Sequence, residues 1–264
     1  MTSISQVGLF GHVVMLVLVI VIAVAVAIGS VLIADRILDE SVGPQHNSTL
    51  SPFLTVVGLV FGALLGFTVV VSWEQFSSAK ANVAHEASTL TTMYRQTVAM
   101  PDPERSQLRG QLRTYATAAA SQDWQSGDSN ALGADARPAI SEMYRLVGRA
   151  PDASSNPVNS QFLSQLTVLA NDRNQRVLDA EARIPAVLWG GLIFGGVVLV
   201  ALTGFMRLNH NVGHMILSSA IAILLGLLLF IIYWLDHPLG VDVGVTPKPF
   251  QQALQVFDLI DQNK

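Results

Sequence analysis

Hydrophobic residues concentrate in four long stretches that contain no Lys, Arg, Asp or Glu. The stretches are Val7–Ala34, Ser51–Trp73, Ile184–Met206 and Val212–Leu235. Each is at least as long as the ~20 apolar residues that a helix needs to cross a bilayer core. Only helices and closed barrels satisfy their backbone groups in lipid, and uninterrupted apolar runs are typical of helices rather than of barrel strands. The pattern therefore predicts an all-α integral membrane protein with four transmembrane helices.

The four spans form two pairs, a 2+2 arrangement around a polar insert. We expect a transmembrane hairpin over residues 1–73, a helical insert over 74–183, a second hairpin over 184–235 and a tail over 236–264. Four crossings place both termini and the insert on one side of the membrane. Basic residues near helix ends favour that side by five to two: Lys80, Arg173, Arg176, Arg183 and Lys248 against Arg36 and Arg207. This excess predicts that the insert and both termini are cytoplasmic.

The insert has the periodicity of helices. Apolar residues recur at helical spacing after Glu74, so we expect the second membrane helix to continue until Pro101. Further helices are predicted beyond it, and the first of them has the apolar face Leu108, Leu112, Tyr115 and Ala119. The last is expected to run into the third span with a kink near Pro185. A short amphipathic helix is expected to begin at Thr246 and Pro247 in the tail. Because apolar stripes this narrow need partners, the insert is predicted to form a helical bundle.

Composition narrows the functional classes. Charged residues make up 13% of the chain, about half the ~25% of a soluble domain, and no basic block suggests a nucleic-acid partner. The chain has no cysteine, which excludes disulfides and a thiol nucleophile. Ser77-x-x-Lys80 matches a serine–lysine pattern, but the companion motifs of that enzyme class are absent. We therefore predict neither an enzyme nor a cofactor.

The second span carries three glycines at a spacing of four. Gly58, Gly62 and Gly66 share one helix face, where small residues let two helix backbones approach closely in lipid. Simple packing within one subunit explains the pattern as well as packing between subunits does.

A run at the end of this span carries a family resemblance. It reads Leu65-Gly66-Phe67-Thr68-Val69-Val70-Val71-Ser72-Trp73-Glu74-Gln75-Phe76. Further motifs follow in order: Glu86-Ala87-Ser88, Tyr94-Arg95, Leu108-Arg109, Leu112-Arg113-x-Tyr115, Arg176, Arg183, Pro185, Trp189, Leu235-Asp236-x-Pro238 and Pro247-x-Pro249-Phe250. From about Gly58 to Leu254, these motifs resemble a family of bacterial and plant membrane proteins described as a bestrophin-like domain. The resemblance implies a distant relationship to the bestrophin ion channels.

Bestrophins are pentamers with four membrane helices per subunit, cytosolic termini and a large helical cytosolic part. Large apolar residues of their second helix line a narrow pore neck. For this chain the resemblance implies the neck residues Leu59, Ala63 and Phe67, about 100° around the helix from the glycine face. Ala63 is small where the channels have an aromatic residue. The resemblance also implies location in a bacterial inner (plasma) membrane.

Calcium gating is not expected. The chain has no contiguous acidic cluster similar to the bestrophin calcium clasp. Asp258 and Asp261 of the tail are too few for a site of six to eight oxygen ligands.

Several charged residues are candidates for a vestibule or a pore mouth. Arg105, Arg109 and Arg113 form a ladder with a spacing of four, which can attract anions or can be a solvated face paired with acids such as Glu104. Glu74 lies at the membrane edge, where it can ring a pore mouth or be a solvated interfacial acid.

Two histidines are weak candidates for a metal site. His210 and His214 lie one helical turn apart before the fourth span. The sequence offers no third ligand, so we predict interfacial polar residues and no metal.

Two functional hypotheses follow. The first is a homo-oligomeric ion channel or pore that contacts the lipid bilayer and passes small inorganic ions, and for which the resemblance implies a pentamer. The alternative is a non-conducting membrane scaffold or sensor whose helical insert binds a cytoplasmic partner.

Overall fold

The computed structural model of the 264-residue chain describes residues 2–37, 45–121, 136–149, 156–206, 211–238 and 244–262. Within these ranges the chain is helical. The helices are α1 (Thr2–Ile37), α2 (Gln45–Gln96), α3 (Glu104–Ser121), α4 (Ala136–Gly148), α5 (Pro157–Glu181), α6 (Ala186–Gly204), α7 (Asn211–Leu235) and α8 (Lys248–Gln262). A short 3-10 turn, Thr97–Ala99, follows α2. Four helical stretches are long and apolar enough to cross a membrane, which confirms the predicted all-α membrane fold.

The chain divides into two compact units. One comprises Met1–Glu74 and Ile184–Asp236, and the other comprises Gln75–Arg183 and His237–Lys264. We call them the membrane unit and the insert unit. Each unit is therefore assembled from two separate segments of the chain.

The membrane unit is held together by close helix contacts. In it α1 packs against α6 and α7, and α6 packs against α7. Phe61 and Leu65 of α2 are buried against α6, together with Leu192 and Leu199. Many other apolar side chains of this unit are exposed, as expected for helices whose solvent is lipid.

The insert unit has a continuous apolar core. The buried stripe of α3, formed by Leu108, Leu112, Tyr115 and Ala119, contributes to it as the helical periodicity predicted. The core also contains residues of α5 and α8, namely Phe162, Leu166, Leu169, Phe250 and Phe257. Because every helix buries one stripe and exposes the rest, this unit has the packing of a soluble bundle.

Two boundaries differ from the sequence-based expectations. Helix α2 begins at Gln45, six residues before the predicted span that starts at Ser51, because a span marks the part of a helix that suits lipid and not its polar ends. The expected continuous helix with a kink near Pro185 is wrong: α5 ends at Glu181 and α6 begins at Ala186. Proline lacks a backbone N–H and disfavours a helical residue before it, so the ladder of hydrogen bonds stops here.

Candidate functional site

The residues proposed for the pore neck lie on an exposed face of α2. The side chains of Leu59 and Phe67 are 73% and 74% exposed, and Ala63 between them is also exposed. Phe61 and Leu65, which pack against α6, lie on the opposite side, about 180° around the helix. The subunit thus buries one face of the second span and leaves the neck face uncovered.

The glycine face lies between these two faces. A methyl group added at Gly62 or Gly66 meets nothing within 4 Å, and one added at Gly58 meets only Leu199 at 3.9 Å. Close approach of backbones within the subunit occurs elsewhere. A Cβ at Gly204 lies 2.7 Å from Ser30 Cβ and 2.8 Å from the Ser30 carbonyl carbon. The packing partner of the Gly62 and Gly66 face therefore stays a prediction.

The arginine ladder pairs with acids, but not with Glu104. Arg105 pairs with Asp102 of the preceding turn. Arg109 and Arg113 instead reach α8, where both pair with Asp261. The ladder thus pairs with acids, as one of the two sequence-based explanations expected, but two of these acids come from α8, because the tail helix packs against α3. Arg113 also pairs with the exposed Asp258 of α8 at 2.8 Å.

Tyr94 of α2 is at the centre of this cluster. Its ring stacks on Phe257 with a centroid distance of 4.0 Å, and its hydroxyl donates to Asp261 over 2.6 Å. The guanidinium groups of Arg109 and Arg113 lie 5.0 Å and 5.6 Å from the ring centroid. Burial alone raises the pKa of Asp261, but the hydrogen bonds from Tyr94 and Arg113 outweigh it and hold that pKa below its usual value. The cluster fixes α8 on the insert unit.

A second ionic group is completely buried. Arg176 of α5 donates to Glu86 of α2 through Nε at 2.8 Å, and neither side chain is exposed. Tyr115 of α3 donates its hydroxyl to the same carboxylate over 2.6 Å. Burial and the charge of Glu86 raise the pKa of Tyr115, which keeps the hydroxyl protonated. Because the guanidinium also stacks on Phe250, this group joins four helices of the insert unit.

The other sequence candidates have simple surroundings. Glu74 is exposed. His214 is buried and donates from Nε2 to the Thr203 carbonyl over 2.9 Å, which joins α7 to α6. His210 lies outside the described residues. Within the described ranges, no group of three His, Asp or Glu side chains is placed to hold a metal ion.

Asp236, at the end of α7, has a defined role that the sequence did not reveal. Its carboxylate accepts from the Ile184 backbone N–H over 2.7 Å and from the Trp189 indole over 3.3 Å. The side chain thus satisfies a backbone donor just before α6, where the chain is not helical.

Sequence reasoning missed the buried partners. Glu86, Tyr94, Tyr115 and Arg176 occur among the resemblance motifs, but no sequence feature indicated that they contact one another or α8. The sequence did contain one signal, a charged or hydroxyl group on the apolar stripe of a helix. Glu86, for example, lies on the same helix face as Val83 and Leu90. Partners separated by 90 residues, such as Glu86 and Arg176, leave no spacing pattern in a single sequence.

Comparisons with known proteins agree with this architecture. Residues 20–250 match the Bestrophin-like domain family. The fold is similar to the crystal structure of a bacterial bestrophin homologue from Klebsiella pneumoniae, with a TM-score of 0.70, 13% identity, and coverage of 92% of this chain and 98% of that chain.

Two variants of the Klebsiella pneumoniae protein give the same result. A tryptophan-to-alanine variant has a TM-score of 0.71 at 13% identity, with 90% and 97% of the two chains covered. A leucine-to-threonine variant has a TM-score of 0.71 at 12% identity, with 92% and 97% covered. No curated protein has a matching sequence. Since the family match extends over most of the chain, this multi-pass membrane protein belongs to the Bestrophin-like family.

Proposed function

We propose that the protein is an oligomeric ion channel whose second span lines the conduction path. The proposal rests on membership of the Bestrophin-like family and on one observation of the fold: Leu59, Ala63 and Phe67 share an exposed face of α2. Phe61 and Leu65 pack the other face into the subunit. Rotated copies of such a subunit can present the neck face to a common axis.

The neck face is suited to a hydrophobic constriction. Its three side chains are apolar and four residues apart, so they form successive rings about 6 Å apart along a pore axis. Narrow apolar segments of a pore gate by losing their water. The small side chain of Ala63 makes the middle ring the widest, and Phe67 makes its own ring the narrowest.

Assembly through identical subunits is part of the proposal. Gly62 and Gly66 adjoin the neck face and leave space for a backbone of another helix. By analogy with bestrophins, the assembly is a pentamer in the inner membrane of a bacterium, with the insert and both termini in the cytoplasm. Native mass measurement in detergent tests this directly, because a strict monomer cannot surround an axial pore.

Calcium is not the gating stimulus in this proposal. The tail carboxylates Asp258 and Asp261 are engaged by Arg113 and Arg109, so guanidinium groups already neutralise them. We expect the same ion flux in calcium and in a calcium chelator. Arg109 is too buried to line a vestibule, whereas Glu74 is exposed and stays the candidate for a pore mouth.

Flux into liposomes tests the proposed function. Purified protein is reconstituted with a fluorescent reporter of chloride or of a monovalent cation, and Phe67→Ala is compared with the wild type. We expect a several-fold change in flux, because the narrowest ring is removed. Phe194→Ala is the matched control, since Phe194 is 71% exposed on α6 and lies outside the proposed neck.

The alternative function is one outcome of this assay. Liposomes that stay impermeable to both chloride and cations, although the protein in them is a folded oligomer, contradict the channel. They favour a membrane scaffold or sensor whose insert binds a cytoplasmic partner.

A further inference from the structure

A pocket of about 500 Å³ lies in the insert unit, between the first turn of α3 and the last turns of α4. Pro101, Pro103 and Leu146 give it apolar walls, and charged side chains of both signs line the rest. Its volume is within the range of ~300–1,000 Å³ that is usual for small-molecule sites. The proposed pore uses none of these walls.

Two of the charged side chains in the pocket wall are already paired. Asp102 holds the guanidinium of Arg105, three residues along the chain. Arg145 donates through Nε to Glu142 over 2.6 Å, on the outer side of α4. These pairs leave one acid and one base to determine which ligand the pocket recognises.

The acid is Glu104, at the start of α3. Its Oε1 atom is buried and accepts no hydrogen bond from any described part of the chain. Burial also raises the pKa of this carboxyl group. A buried carboxylate oxygen without a donor is destabilising, so a ligand that supplies an N–H donor with positive charge gains the most here.

The base is Arg149, at the end of α4. Its side chain is exposed and lines the same pocket, and none of the salt bridges formed within the described ranges includes it. A guanidinium group offers paired donors that fit a carboxylate or a phosphate. Gln107 of α3, which also lines the pocket, offers an amide donor and an amide acceptor.

We propose that this pocket binds a small zwitterion, in which an ammonium group contacts Glu104 and a carboxylate or phosphate group contacts Arg149. A ligand with one charge contacts only one of these two side chains. The apolar surface of Leu146 and the two prolines then covers the carbon chain that joins the two groups. The inference is independent of the channel proposal, because a non-conducting scaffold presents the same pocket.

Calorimetry on the full-length protein in detergent tests the proposal. The probes are unbranched ω-amino acids from glycine to 6-aminohexanoate, with acetate and methylammonium as single-charge controls. We expect one chain length to bind best, because the two charged walls have a fixed separation. A short-chain phosphatidylethanolamine is titrated in parallel. Preference for it over every amino acid assigns the zwitterion to a lipid headgroup rather than to a free solute.

Two substitutions locate the site. Glu104→Gln and Arg149→Gln should each weaken binding of the best probe by about tenfold or more. Glu181→Gln and Arg137→Gln are matched controls, because both residues are exposed and neither lines the pocket. Melting temperatures of all four variants show whether they fold.

Three results overturn the proposal. One is the absence of binding by every zwitterion at ~10 mM, well above the concentration of a weak physiological ligand. Another is acetate or methylammonium binding as tightly as the best zwitterion. The third is an unchanged affinity in folded Glu104→Gln and Arg149→Gln proteins.

Discussion

The membrane unit and the insert unit are stabilised by different physical means. In the membrane unit, glycine residues let helices approach closely, as at Gly204 beside Ser30 and at Gly195 under the ring of Phe61. In the insert unit, helices pack around an apolar core that also encloses buried charges, as at Glu86 and Arg176. Burial of apolar surface drives folding only where the alternative is water, so the membrane unit depends on close contact instead.

The difference explains why the resemblance motifs carry so many polar residues. Glu86, Tyr94, Arg113 and Arg176 all belong to the two ionic groups of the insert unit. Asp236, also in a motif, closes the gap before α6 in the membrane unit. At these positions the motif residues connect helices to one another. The residues of the proposed pore are different ones, on the apolar face of α2.

The largest effect is expected from breaking the buried pair in the insert unit. Arg176→Met leaves the Glu86 carboxylate buried without its cation, which should destabilise the protein by about 3–5 kcal/mol. Thermal unfolding of the detergent-solubilised protein measures the loss. The double variant Glu86→Gln with Arg176→Met should regain much of it, because no uncompensated charge remains.

A surface pair gives the matched control. Glu142→Gln removes the partner of Arg145 at the exposed side of α4 and should leave the melting temperature unchanged. Equal losses from Arg176→Met and Glu142→Gln would show that burial of the charge does not matter.

A smaller effect is expected from filling the close contact in the membrane unit. Gly204→Ala places a methyl group against Ser30 of α1, including its backbone, and should cost about 1–3 kcal/mol. Gly62→Ala is the control within the subunit, because its methyl group meets nothing within 4 Å. Gly62→Leu should nevertheless reduce the oligomer fraction in native mass spectra if that face packs between subunits.

The junction of α8 with the insert unit should depend on pH. The pKa of Asp261 is lowered in the folded protein, so its contribution is complete above the ordinary carboxyl pKa of ~4 and is lost as the pH falls through the lowered value. Asp261→Asn should destabilise the protein by about 1 kcal/mol at neutral pH, since solvent screens these partly exposed pairs. The free energy of unfolding of this variant should also fall less steeply than that of the wild type as the pH is lowered. Hydrogen exchange of α8 between pH 7 and pH 3 provides the measurement. The same loss of protection at low pH in the variant and the wild type would contradict this account.

The smallest effect is expected at the gap between α5 and α6. Asp236→Ala removes the acceptor for the Ile184 N–H and the Trp189 indole and should cost about 1 kcal/mol, because two donors lose their partner. The melting temperature should fall by a few degrees, and Asp236→Asn should restore part of it, because an amide oxygen still accepts. A variant as stable as the wild type would mean that these two hydrogen bonds do not stabilise the protein.

Sequence predicted the elements better than it predicted their partners. The charge-free runs located all four candidate spans, because lipid excludes charge along a whole helix. The limits of the apolar stretches did not locate the polar start of α2 at Gln45 or the break before Pro185. Periodicity located the buried stripe of α3 but not the choice of Asp261 as partner of Arg109, since that choice depends on how α8 packs.

The candidate site was predictable to the same extent. The resemblance implied Leu59, Ala63 and Phe67 as neck residues, their spacing places them on one helix face, and the structure leaves that face exposed. Spacing did not reveal that Phe61 and Leu65 point into the subunit, because all five residues lie in one apolar run. Only tertiary contact distinguishes the packed face from the open one.

The most direct test of the central claim measures current while position 67 is modified. The chain has no cysteine, so Phe67→Cys offers a single thiol to a small charged thiosulfonate reagent added to a planar bilayer. We predict that modification changes or blocks the current, whereas the same treatment of Phe194→Cys on α6 leaves it unaltered. Current that ignores modification at position 67, or no current from the folded oligomer, would contradict a pore lined by the second span.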